Sequence, residues 1–244
     1  MSIIIGRKPV LEALKADVDI EQIICSFGLK GESISQILNL ARKKGIKIKE
    51  YSNQKFKELV QDQNSQGIAA VKSSYIYSSL QEVISKSKKS PLPLLLLLDS
   101  IQDPHNLGAI IRTAESAGVD GIVITIHNSA AITSTVEKTS AGAVSHVKIA
   151  QITNLNQTIK TLKEQGFWVV GSYLSNNTQD YTTIDYKIPI AIIMGNEEKG
   201  LHKHAAENCD FLASIPMLGK IQSLNVSVAT GVLLYEIIRQ RSIQ

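Results

Sequence analysis

The sequence predicts an α/β protein whose larger part is a mostly parallel, doubly wound sheet. Three observations predict it. From Leu94 onward, short apolar segments alternate with helical patterns, the rhythm of strand–helix–strand units. The run Leu94–Leu98 is continuously apolar, as a strand covered on both faces must be. The strands that end at Asp99, Gly195 and Pro216 each run into a polar or glycine-rich loop, placing three loops where such sheets bind ligands.

Before that sheet, residues 1–75 read as a small α/β unit. Gly6-Arg7-Lys8-Pro9 leads into a helix through Leu11 and Leu14, and Ile20–Ser26 reads as a strand. Ser33–Lys43 is a helix with Ile34, Ile37, Leu38 and Ala41 inward, at three- and four-residue spacing. A strand over Ile46–Glu50, a helix carrying Phe56, Leu59 and Val60, and a strand from Ile68 to Val71 complete it. Residues 76–93 hold a cluster of serines and lysines and then two prolines, which reads as a short amphipathic turn or helix and a linker.

In the larger unit, residues 94–244, Asp99–His105 is a loop and Asn106 begins a helix that stops at Gly118. Strands follow at Gly121–Ile126, Val147–Ala150, Phe167–Gly171 and Ile188–Met194. Helices are expected at Ser134–Ala141, Leu155–Gln165 and Leu201–Asn208. Phe211, Leu212, Ala213 and Ile215 form a last strand, broken by Pro216. Ser223 is a candidate N-cap for the C-terminal helix, one face of which is marked by Leu224, Val228, Gly231, Val232, Tyr235 and Ile238 at three- and four-residue spacing.

Composition narrows the function. The chain has 244 residues, 43% hydrophobic and 20% charged, which is globular. Its apolar runs are far short of the roughly 18 residues of a membrane helix, and MSIIIGRKPV lacks the form of a secretory signal. Cys25 and Cys209 stand outside any motif, which fits a reducing cytoplasm. Residues 1–90 carry 15 Lys/Arg against 9 Asp/Glu, whereas residues 91–244 carry 11 against 13. A basic module on a near-neutral one suggests a polyanion partner. Arg7, Lys8, Arg42, Lys43 and Lys44 are the candidate contacts, with His105 in the larger unit; the alternative is a solvated surface. Aromatic content of 5% argues against a sheet-face stacking platform of the RNA-recognition type. His202 and His204 lack a supporting Cys or carboxylate cluster, so no metal is expected. Gly195 and Gly200 have the spacing of a phosphate-binding loop, but Leu201 stands where its lysine belongs.

Taken together, the three loops resemble the motifs of the SPOUT-class, SpoU (TrmH-type) RNA 2′-O-ribose methyltransferases. Asn106 and Arg112 fall in N-x-G-x-x-x-R-x-A, and Gly195, Glu197 and Gly200 in G-x-E-x-x-G-L. Ser223, Leu224 and Asn225 form the third motif, with Ile215-Pro216-Met217 ahead of them. Residues 1–75 resemble the family's L30e-like substrate-binding domain. The spacing and the stretch VEKTSAGAVSHV look closest to the branch that methylates a guanosine ribose in 23S ribosomal RNA; transfer RNA is the competing substrate, and a non-catalytic RNA-binding protein the competing function.

The resemblance implies a C-terminal trefoil knot that binds S-adenosylmethionine, completed by homodimerisation. It implies cofactor contacts at Gly195, Ile215, Met217, Leu224 and Asn225, and catalytic roles at Asn106, Arg112, Glu197, Ser223 and Asn225. Family proposals make the arginine at Arg112 a general base. A guanidinium, with a pKa of roughly 12 or more, releases its proton reluctantly, so a cation gripping phosphate and developing alkoxide is the rival role. Asn106 either caps its helix or positions Arg112.

Overall fold

The computed structural model describes residues 3–61, 63–73, 75–173, 178–196 and 200–242. The N-terminal unit contains β1 (Ile3–Ile5), α1 (Arg7–Lys15), β2 (Ile20–Ser26), α2 (Glu32–Lys43), β3 (Lys47–Tyr51), α3 (Asn53–Val60) and β4 (Ile68–Lys72). Its four strands lie in the order β1-β4-β2-β3. The β2–β3 pair is parallel, and β4 is antiparallel to both its neighbours. Val10, Leu14, Ile34, Ile37 and Ala41 of α1 and α2 cover one face; Phe56 and Val60 of α3 cover the other. Strand β1 is too short for the sequence to have announced it.

Then come α4 (Leu80–Ser87), β5 (Leu94–Leu98), α5 (Pro104–Ser116), β6 (Gly121–Thr125), α6 (Ser134–Thr139), β7 (Lys148–Ile152) and α7 (Leu155–Glu164). The chain continues through β8 (Trp168–Ser172), β9 (Gln179–Asp180), β10 (Ile190–Met194), α8 (Lys203–Glu207), β11 (Phe211–Ser214) and α9 (Val226–Ser242). The sheet order is β7-β6-β5-β10-β8-β11-β9, and every pair is parallel.

The five consecutive leucines of β5 explain themselves in this sheet. Leu94, Leu96 and Leu98 join the core under α5, α6 and α9. Leu95 and Leu97 point the other way, among Val83 and Ile84 of α4, Ile159 and Leu162 of α7, and Ala205 and Ala206 of α8. Successive side chains alternate between faces, so only a strand covered on both sides needs five in a row. Helix α4 lies within residues 76–93, the stretch expected to hold a short amphipathic turn or helix and a linker; Ser79 caps it in a capping box with Glu82, and Val83 and Ile84 are fully buried in the larger unit.

Two helix starts differ from expectation. Helix α5 begins at Pro104, not Asn106, because Asp103 accepts from the His105 N–H (2.9 Å) and proline suits the first turn. Helix α9 begins at Val226, and Asn225, not Ser223, caps it by accepting from the Ser227 N–H (2.9 Å). The inward face of α9 also differs. Val226, Thr230, Leu233, Leu234 and Ile237 are buried, while Val228 is 52% and Tyr235 54% exposed. The helix is apolar on nearly all sides, and a 3.6-residue period cannot choose between two apolar faces.

The units meet along the opposite end of β2 from its Ser26 terminus. Asp17 accepts from Lys44 Nζ and pairs with His127 Nδ1 (2.7 Å), and Asp19 accepts from Gln151 Nε2 (3.1 Å). Ser73 Oγ donates to the Ile132 carbonyl (2.6 Å), and Tyr77 Oη accepts from the Ile132 N–H (2.9 Å).

Candidate functional site

Strands β10, β8 and β11 are neighbours, and being parallel they send their carboxyl ends to one edge. At that edge lies a cavity of about 290 Å³. Its wall is built from Ser172 and Tyr173 at the end of β8, Met194, Gly195, Asn196 and Gly200 at and beyond the end of β10, and Ser214, Ile215 and Met217 at and beyond the end of β11. Gln222, Ser223 and Leu224 of the following loop, with Val226 and Ala229 of α9, close it. Apolar side chains with a few convergent polar groups are the composition of a small-molecule site.

The geometry explains Gly195 sterically. A Cβ there would sit 2.1 Å from the Leu201 nitrogen and 2.2 Å from the Gly200 carbonyl carbon. The chain turns back on itself, with Asn196 and Gly200 exchanging backbone hydrogen bonds of 3.0 and 2.9 Å. Gly108, the glycine of the first motif, lets α6 approach α5: a Cβ would meet that of Thr139 at 2.6 Å.

Of the residues expected at the cofactor site, Gly195, Ile215, Met217 and Leu224 line the cavity, as does Ser223. Asn225 is not in its wall. Its Nδ2 donates to Asn106 Oδ1 (3.0 Å) while its Oδ1 accepts from the Ser227 N–H and hydroxyl. One carboxamide thus caps α9 and joins the first loop to the third. Arg112, two turns along α5 from Asn106, is exposed, and among the described residues no carboxylate pairs with it, Glu115 included. Glu197 lies outside the described residues.

The candidate RNA contacts separate into two places. Gly45, at φ 64°, is pressed against the start of α5: a Cβ would lie 2.8 Å from Pro104 Cδ. This sets exposed Arg42 and Lys43 beside the segment carrying His105 and Asn106. Lys44, next along the chain, is paired with Asp17. Arg7 and Lys8 open α1 at the far end of the N-terminal unit.

The His202 ring is mostly exposed, yet Nδ1 lies 2.6 Å from the buried carboxylate of Asp99. Asp99 also accepts from the Ser100 hydroxyl (3.0 Å), and Asn196 Nδ2 donates to the Ser100 carbonyl (2.8 Å). These contacts tie both ends of the second loop to the end of β5. Asp99 could have been suspected from its place at a strand's carboxyl end; Ser172 and Tyr173 of the cavity wall carried no sequence signal. Cys209, packed where Gly171 leaves room, is pushed up to about 12 by burial, so its thiol is inert.

A doubly wound parallel sheet with a ligand cavity at its carboxyl edge and a separate basic module defines an α/β protein that joins a small molecule to a polyanion. The comparisons make that specific. Residues 93–235 match the model of the SpoU rRNA Methylase family, and residues 3–78 that of RNA 2′-O ribose methyltransferase substrate binding. The chain belongs to the SpoU rRNA methylase family and is a methyltransferase of the RNA-modifying class. YacO of Bacillus subtilis, assigned to the TrmH family of tRNA/rRNA methyltransferases, is 39% identical over 98% of this chain and 96% of its own. The AdoMet-bound rRNA methyltransferase of Sinorhizobium meliloti is 28% identical with a TM-score of 0.59, covering 99% of this chain and 87% of that one. The A. aeolicus TrmH/SpoU tRNA modifying enzyme is 33% identical with a TM-score of 0.59, covering 67% of this chain and 82% of its own.

Proposed function

We propose that this protein transfers a methyl group from S-adenosylmethionine to a ribose 2′-hydroxyl of ribosomal RNA, a guanosine of 23S RNA being the favoured target. The observation that carries the reading is the cavity: the second and third loops supply most of its wall, and the first is joined to the third by the Asn106–Asn225 bond. Met194, Ile215, Met217 and Leu224 offer an apolar bed for a nucleoside base, and the backbone at Gly195 is bare enough for close approach. S-adenosylmethionine would supply an electrophilic methyl on a sulfonium. This chain's residues must align a hydroxyl with it and accommodate the proton that leaves.

Arg112, exposed on α5, is the cation for that task, and Asn106 of the same helix is held by Asn225. A planar guanidinium grips phosphate and stabilises alkoxide without itself titrating. In this reading the segment after β11 threads the loop after β10 as a trefoil knot. The outer face of α9, with Val228 and Tyr235 exposed, packs on a second copy. Mapping 2′-O-methyl sites in RNA from cells with and without this protein tests the assignment. One guanosine in large-subunit RNA should lose its mark; a lost mark in transfer RNA instead would replace the substrate, and no lost mark would favour the non-catalytic RNA-binding reading.

A further inference from the structure

The end of the N-terminal unit away from the junction carries a feature that net charge alone does not explain. Phe27 follows β2 and is 76% exposed, the most exposed aromatic ring among the described residues. It does not stand on a loose loop. Its N–H donates to the Tyr51 carbonyl (2.8 Å), and Ser26 N–H donates to the Gly67 carbonyl (2.8 Å). Leu29, two residues on, is tucked against Gly67, where a Cβ would meet Leu29 Cδ2 at 2.8 Å. The loop is therefore pinned beneath while Phe27 faces outward. An exposed phenyl ring held this way loses the burial that would otherwise stabilise it.

The surroundings of Phe27 are cationic and open. Arg7 Nη1 lies 3.6 Å from where a Cβ on Gly31 would stand, so the guanidinium borders the same loop. Lys8 and Lys30 are exposed nearby in sequence, and Gly28 has open space on its Cβ side. An exposed π-face on a loop bordered by cations is the arrangement that takes an unpaired nucleotide, base on the ring and phosphate on the cations. An ordinary apolar protein partner would not match the cations Arg7, Lys8 and Lys30 around this ring.

We propose that Phe27, with Arg7, forms a docking site for an unpaired nucleotide of the substrate RNA. It lies one strand length, roughly 20 Å, from the junction, so it is separate from the cavity and from Arg42 and Lys43. This rests on the RNA-substrate reading above and adds to it the structural class: the RNA must present a single-stranded or looped nucleotide well away from the target ribose.

The test is direct binding in the full-length protein. The probes are a hairpin RNA with an unpaired loop and a fully paired duplex of the same length. Phe27→Trp in a Trp168→Phe background gives one tryptophan reporter, since the chain has a single Trp. Its fluorescence should be quenched by the hairpin and not by the duplex. Phe27→Ala should weaken hairpin binding about tenfold, the scale of losing one base–aromatic stack. Phe27→Tyr should restore binding, and Phe27→Leu should not. Unchanged hairpin binding by Phe27→Ala, equal quenching by the duplex, or full rescue by leucine would each overturn the proposal. Cofactor binding and methyl transfer are measured separately. Their failure with selective hairpin binding intact would remove the enzymatic reading and leave this site standing.

Discussion

The two units of this protein solve different problems with the same alternation of strand and helix. The larger sheet is parallel throughout and covered on both faces, and its ligand cavity lies at one edge. The smaller sheet is mixed, its two cores are modest, and its distinguishing property is excess positive charge. The difference teaches how affinity and chemistry divide. The reaction needs a shaped, partly apolar recess where strand ends converge, which a parallel sheet supplies. Holding RNA needs dispersed cations and little shape, which a small unit can offer at its surface.

The sharpest way to break that division is at Arg112. Arg112→Ala should lower turnover by at least about 100-fold, the scale of losing a transition-state charge contact, and leave S-adenosylmethionine affinity nearly unchanged. Arg112→Lys keeps the charge but not the planar fork, so it should be almost as poor. A pH–rate series at saturating cofactor and RNA decides the role: a basic-limb pKa that moves down in the lysine variant would make Arg112 the proton acceptor and not a clamp.

A smaller effect is expected from the basic unit. Replacing Arg42 and Lys43 together with alanine should raise the KM for RNA roughly tenfold without changing kcat. The salt dependence should also flatten, since each lost phosphate contact removes about 0.7–0.9 from the log–log slope. A fall in kcat instead would place that corner in the chemistry.

The smallest effect concerns the junction that joins the units. Burial raises the pKa of Asp17, but hydrogen bonds and charge from Lys44 and His127 outweigh it, leaving it below the usual carboxylate range. A depressed carboxyl stabilises above its unfolded pKa, ~3.9, and that contribution is lost as pH falls through the lower folded value. Asp19 carries the opposite sign, raised chiefly by burial against the bond from Gln151. Asp17→Asn should therefore cost about 1 kcal/mol at neutral pH and flatten the stability profile of the protein below about pH 4. Denaturant melts from pH 3 to 7 would show it, and parallel profiles for the two proteins would remove Asp17 from the junction.

What the sequence by itself determined was the alternation and its consequences. Leu94–Leu98, Ile20–Ser26 and the helix from Leu155 were legible because burial on one or two faces imposes period two or period 3.6. Gly195, Ile215, Met217, Ser223 and Leu224 were legible because loops after parallel strands converge, and their residue pattern matched a known motif set. The tertiary structure alone decided what depends on distant neighbours. Ser172 and Tyr173 enter the cavity because β8 lies between β10 and β11, an order that local periodicity does not encode. Asn225 reaches Asn106 across 119 positions, and Asp17 of the smaller unit meets His127 of the larger across 110. The buried face of α9 was beyond reach for the same reason: on a helix apolar nearly all round, the side that goes inward is chosen by the shape of α5 and the sheet beneath it.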